Sequence, residues 1–347
     1  MGVDRKAPRS PPLIIASTVA SNAKKTPTMN QKHIQDKLNK LFDKALKMDR
    51  KCSHPNCNNN AINSHILQKN GLLSGIATNN HVYVSKTDFL NPDLFKFKRS
   101  GINVTYTFKG FCSLHDKQIF QPIEDFEIDF EDYKSQLLFV YRTILNEKRK
   151  KEVLIDWDKL KINDSSIQNI INPAEIKDSF DEYTQAIKDI EYFENLVLSD
   201  LNGAEESFVF KVKYVREIDI CLASFFTLES TRQLQEEFAK TGKERELLTD
   251  IFISFFPIQG ESVVIIGYLK SMAGNCEKFI NDLFAHDEDL FLKQMSNILL
   301  RRCEEWVCSE TFYKDRIQQR ESKINEIFRE AAESIDEDKD IEFNLFE

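Results

Sequence analysis

The sequence predicts an α+β protein in which a small metal-binding module precedes a mainly helical lobe with a partly antiparallel sheet. Three observations carry this. Two Cys/His pairs, Cys52 with Cys57 and Cys112 with His115, bracket a stretch of short turns and strand-like runs. Segments whose apolar residues recur at three and four frame the remainder of the chain. Between them lie apolar or alternating runs, the last two joined through Gln259-Gly260, a connection short enough for a hairpin.

The first periodic segment begins at Ile34, where Ile34, Leu38, Leu41, Phe42, Ala45 and Leu46 form one stripe of an amphipathic helix leading into Cys52. From 52 to 124 the texture changes to turns at His54-Pro55 and Asn58-Asn59-Asn60, with strands expected over His81–Val84 and Val104–Phe108. Helix returns over Tyr133–Glu147. A further helix is predicted from Pro173 to about Asp200, with Asn172 as N-cap, Pro173 in the first helical position, Glu175 three residues after the cap and Asn202-Gly203 at the close. Phe208, Phe210, Val212 and Tyr214 share one face of a strand, followed by strands over 218–227, 251–256 and 263–269. Helices are expected from about Glu277 to Ala332. The phenylalanine pairs 225–226 and 255–256 predict a sheet covered on both faces.

A chain of 347 residues, 41% hydrophobic and 11% aromatic, holds about two domains. The expected division is a disordered leader at 1–28 (with Met29 able to serve as a start), a helix plus metal module at 29–125, an acidic α+β domain at 126–332 and a disordered acidic tail at 333–347. Charge divides the same way. Residues 1–124 carry 19 Lys and Arg against 8 Asp and Glu, a balance of +11, whereas the remainder stands at −20. A basic lobe of that size suits a polyanion such as nucleic acid; the acidic lobe would repel one and suits a protein partner or a second copy of the chain. Leu13–Ala20 is too short and too broken by Ser17 and Thr18 for a secretion signal. No run approaches the roughly 18 apolar residues of a membrane span. Seven cysteines without a dense, regular framework indicate reduced thiols plus a metal site, hence a cytoplasmic location.

Zinc needs four soft or borderline ligands in a tetrahedron. Cys52-Ser-His-Pro-Asn-Cys57 supplies two on a tight turn, and Cys112-Ser-Leu-His115, after Gly110-Phe111, supplies two more at the start of a helix. Together they predict a structural Cys3His zinc site. Cys303 and Cys308 repeat the gap, but the surrounding run reads as continuous helix, on which residues five apart point about 140° apart. They are expected to be core, like Cys221 and Cys276.

The succession of a cysteine pair, Ser64-His65-Ile66 and Phe111-Cys112-x-x-His115-Asp116 resembles the treble-clef, or ββα, arrangement of HNH nucleases over about a fifth of the chain. The resemblance implies that His65 activates water and that Asp116, standing where the family usually has histidine, helps hold a catalytic divalent cation, magnesium or manganese. Oxygen ligands suit both ions. For the family's intervening asparagine, Asn70, Asn79 and Asn80 are all available. HNH modules recur in defence against phage, and by that analogy the resemblance implies a role in defence against foreign DNA. The wider pattern, Ala61–His65, Leu67-Gln68-Lys69, His81-Val82-Tyr83, Phe120 and Ile123-Glu124, also resembles a bacterial protein family without an assigned activity. Read from the residues alone, His65 fits a substitute zinc ligand or a turn cap as well as a base, and Asp116 fits a carboxylate facing a helix N-terminus. Two functions are therefore expected: a metal-dependent nuclease, or a non-catalytic zinc module that recognises nucleic acid or protein. The ten glycines form no phosphate-cradling loop.

Overall fold

The stripe from Ile34 forms α1 (Met29–Lys47), which lies against a small core of Ala45, Val153, Leu154, Trp157 and Tyr183. Trp157 Nε1 donates to the Leu38 carbonyl at 3.1 Å and fixes the crossing. This computed structural model describes residues 29–87, 95–124, 127–203, 205–243 and 247–347; the expected leader lies outside them.

After the first cysteine pair come β1 (Asn63–His65), β2 (His81–Thr87), β3 (Phe95–Gly101) and β4 (Thr107–Lys109). The strand expected over Val104–Phe108 is shorter, because Val104 sits exposed in a turn. α2 (Ser113–Phe120) follows, then α3 (Tyr133–Ile162), twice the expected length, and α4 (Pro173–Leu201). The Asn172 side chain accepts from the Ala174 N–H, and Gly203 has φ 77, as the cap signals require.

Five strands and four longer helices follow: β5 (Phe208–Arg216), β6 (Ile220–Thr227), α5 (Thr231–Thr241), β7 (Asp250–Ile258), β8 (Glu261–Leu269), α6 (Ala273–Ala285), α7 (Glu288–Arg301), β9 (Val307–Cys308) and α8 (Glu321–Glu333). Gln259 and Gly260 both have positive φ, 52 and 87, forming the two-residue turn whose twist suits a hairpin. The helix α5, not among the expected elements, opens on a reciprocal capping box between Ser230 and Gln233.

Seven strands make one antiparallel sheet in the order β3-β2-β9-β6-β7-β8-β5, so strands from both sides of residue 125 share it. The sheet is covered on both faces. Ile251, Ile253, Phe255, Val264 and Ile266 pack with α6, α7 and α8, while the alternate residues Phe252, Phe256, Val263 and Ile265 pack with α3, α4 and the cysteine module. The two-stranded ribbon of β1 and β4 stands apart from it.

Two expectations are corrected. Residues 299–308 are not one helix: α7 ends at Arg301, and Val307-Cys308 becomes the short strand that bridges β2 and β6. Cys303 and Cys308 are nonetheless buried core, as are Cys221 and Cys276. The acidic tail is ordered by packing. Glu337 accepts the Thr231 N–H at 2.7 Å at the start of α5, Arg232 pairs with Asp336, and Leu345 and Phe346 are buried. Carboxylates there meet a helix N-terminus.

Candidate metal centre

Two segments far apart in sequence are stitched together before any ligand is considered. Cys52 N–H donates to the Asn59 carbonyl at 2.9 Å, and Cys57 N–H to His54 at 3.1 Å, with Asn56 at φ 62 turning the loop. Ser53 N–H reaches Gly110 O at 3.0 Å and Ile62 N–H reaches Phe111 O at 2.7 Å, so the first knuckle lies against the approach to Cys112. Gly110 is required there, since a Cβ would meet the Phe108 ring at 2.5 Å. Cys112 then occupies the N-cap position of α2 and His115 lies in its first turn.

These contacts gather Cys52, Cys57, Cys112 and His115, whose ligand atoms all lie within 4.8 Å of one another. His115 Nδ1 is 3.3 Å from Cys52 Sγ and 3.4 Å from Cys112 Sγ, and Cys57 Sγ is 3.9 Å from Cys112 Sγ. Bonds of about 2.3 Å at a tetrahedral angle place sulfurs near 3.8 Å apart, so three thiols and an imidazole arranged in this way could hold a metal ion of the soft or borderline kind. Among the described residues no other such group comes together. The Cys112 thiol is held below its ordinary value, chiefly by the backbone N–H of His115, whereas burial pushes Cys52 up. His54 stacks on His115 with ring centres 3.8 Å apart and planes 12° apart, backing the imidazole.

His65 and Asp116 are not part of that group. His65 lies on the ribbon, and its Nε2 is 2.8 Å from the Ile102 carbonyl. A carbonyl only accepts, so Nε2 carries the hydrogen and the Nδ1 lone pair is left free. Burial holds His65 below the ordinary imidazole value; Lys69 and Arg142 add to this, while the Ile102 contact and Asp116 oppose it. Asp116 is in the first turn of α2 and has its Oδ1 buried without a protein hydrogen-bond partner. Asn79 and Asn80, at φ 51 and 58, form the turn into β2, and Asn70 is exposed beyond the ribbon.

Two residues escaped the sequence reading. Arg142 sits a third of the way along α3 with 1% of its surface exposed, beside Glu124 and above the Phe120 ring, 4.1 Å from its centre. A lone arginine inside Leu137–Leu145, otherwise mostly apolar, was its signal. Tyr106, at φ 59, extends its hydroxyl to Ala223, accepting from N–H at 2.5 Å and donating to the carbonyl at 3.2 Å. Because β9 pairs only with Ile220 and Cys221, the phenol replaces a strand partner for β6. Nothing in its sequence context marked this. Comparison with protein families, with characterised proteins and with solved structures yields no match. No described helix is long and apolar enough to cross a membrane.

Proposed function

We propose that the Cys3His group holds a structural zinc ion and that the ribbon beside it forms the active site of an HNH-like nuclease acting on nucleic-acid phosphodiesters. The zinc reading rests on the donor set, since closed sites of three thiolates and an imidazole suit zinc. The nuclease reading is carried by one observation, the His65 imidazole anchored through Nε2–H to the Ile102 carbonyl with Nδ1 free and burial favouring its neutral form. Such a base would take a proton from the water attacking phosphorus, while the phosphorus–oxygen bond to the departing sugar breaks and that oxygen collects a proton. Asp116 offers one buried carboxylate oxygen for a magnesium or manganese ion, which would supply positive charge to the phosphate. The exposed lysines 40, 44 and 47 of α1 give the polyanion a basic approach.

A second reading, a zinc module that binds nucleic acid or protein without cutting, draws support from Arg142. Its guanidinium lies against the same helix as Asp116, packed on Phe120 one turn away, and its charge opposes a cation there. Cleavage assays on single- and double-stranded DNA and RNA with magnesium or manganese decide between the two. His65→Ala and Asp116→Ala are expected to keep about one zinc per chain and to lose at least roughly a hundredfold in rate. Salt-sensitive binding with no cleavage by the unaltered, zinc-loaded protein would leave the binding module.

A further inference from the structure

We propose that Arg142 is a positioning residue for His65, clamping the chain that follows β1 onto α2 and α3 so that the imidazole is presented in one orientation. The inference takes its catalytic meaning from the nuclease reading, but its structural basis is separate. Arg142 Nη2 donates to the Glu124 carboxylate, and the Glu124 main-chain carbonyl accepts from Gln68 Nε2. Gln68 stands three residues after His65. A bonded path therefore runs from the N-terminal third of α3, through the turn after α2, to the segment that carries the base.

The guanidinium lies over the ring of Phe120, which shares a face of α2 with Asp116 four residues earlier. It makes one ion pair and leaves Nε and Nη1 buried without protein partners. A buried charge so incompletely satisfied costs stability. Its place inside the apolar stretch Leu137–Leu145 of α3 therefore points to a task other than packing. The charged groups facing His65 come from three elements: Lys69 from the segment after β1, Asp116 from α2 and Arg142 from α3, with the Ile102 carbonyl after β3 bonding the ring. Arg142 and Lys69 oppose protonation of the imidazole and Asp116 favours it, so removing Arg142 shifts the balance toward the charged ring.

The test follows His65 by NMR in the full-length, zinc-loaded protein with labelled histidine, its signals assigned by their loss in His65→Gln. In the unaltered protein a single Nε2–H tautomer is expected. In Arg142→Met the titration midpoint moves up and the tautomer signature weakens, whereas Arg142→Lys, which keeps the charge, returns the midpoint toward that of the unaltered protein. An unmoved midpoint in Arg142→Met overturns the proposal. So does an equal rise in the Met and Lys variants, because loosened packing alone would produce it. If Arg142→Met does not fold, Glu124→Gln releases the anchor while leaving the arginine, and an unchanged His65 spectrum in that variant is equally fatal. Cleavage is measured alongside. A protein that cuts nothing, yet whose His65 midpoint follows Arg142, refutes the nuclease and leaves the positioning intact.

Discussion

The cysteine module and the seven-stranded sheet reach order by different means. In the sheet, β7 and β8 are buried along nearly their whole length, with Phe252 and Phe256 facing one helical layer and Phe255 the other. Apolar area removed from water, about 25 cal/mol per Å², is enough to account for such a structure. Around the cysteines the module's secondary structure is a three-residue ribbon and the eight-residue α2, too little to persist in water unaided, and it rests on Leu67, Leu73, Phe111 and Phe120, which share a core with α3. Its loops are drawn together by four side chains that could share one ion. Where secondary structure is this short, ligand bonds can add to buried area, and stability then depends on metal and on ligand protonation as well as on packing.

The sharpest way to break the comparison is Cys112→Ser. Metal content is expected to fall from about one equivalent to near zero, with a loss of many kcal/mol, since structural zinc sites in small peptides contribute roughly 10–16 kcal/mol. Hydrogen exchange at the amides of Ile62 and Ser53, which bond Phe111 and Gly110, should report the opening first. A variant that stays protected there without metal would mean that packing, not the ion, closes the module.

Next in size is Phe256→Ala. This ring is fully buried against Phe130 and Phe139, with centres 5.5 and 5.3 Å away, so its removal should cost about 3–5 kcal/mol by urea denaturation. Zinc content is expected to survive. Metal lost together with sheet stability would show that the two regions fold only as one, through the β2 and β3 strands that join them.

What was legible in the sequence follows the same divide. The β7–β8 hairpin, the Asn172 cap and the grouping of Cys52, Cys57, Cys112 and His115 could be read because each depends on local rules: alternation, capping and spacing. The hidden elements depend on partners distant in the chain. β3 carries Lys96, Lys98 and Arg99 between its apolar residues and is a strand because β2 lies beside it. β9 is two residues long and exists only where β2 and β6 leave a gap, so its helical periodicity misled. Arg142 and Tyr106 likewise show their roles only once Glu124 and Ala223 are in place. The acidic tail misled in another way, because its charge count concealed Leu345 and Phe346.

The smallest expected effect separates the two regions by pH. Asp250 opens β7, accepts a hydrogen bond from Thr227 at 2.8 Å, and is pushed up to about 7, chiefly by burial, with Glu229 and Asp189 raising it further and Lys151 offsetting part. An acid whose folded value exceeds its ordinary 3.8 favours the folded state only while protonated. The folded chain binds more protons than the unfolded one between pH 3.8 and about 7, so this group's contribution declines across that window and stays at its lowest above it. Asp250→Asn keeps the acceptor for Thr227 and cannot ionise. Its stability advantage over the unaltered protein should be larger at pH 8 than at pH 5, read from urea unfolding at both. The module moves the opposite way, because proton competition for thiolates weakens metal binding as pH falls, but that trend is common to both proteins and cancels in their difference. A difference between variant and parent that is the same at pH 5 and pH 8 would remove Asp250 as the source of the sheet's alkaline penalty.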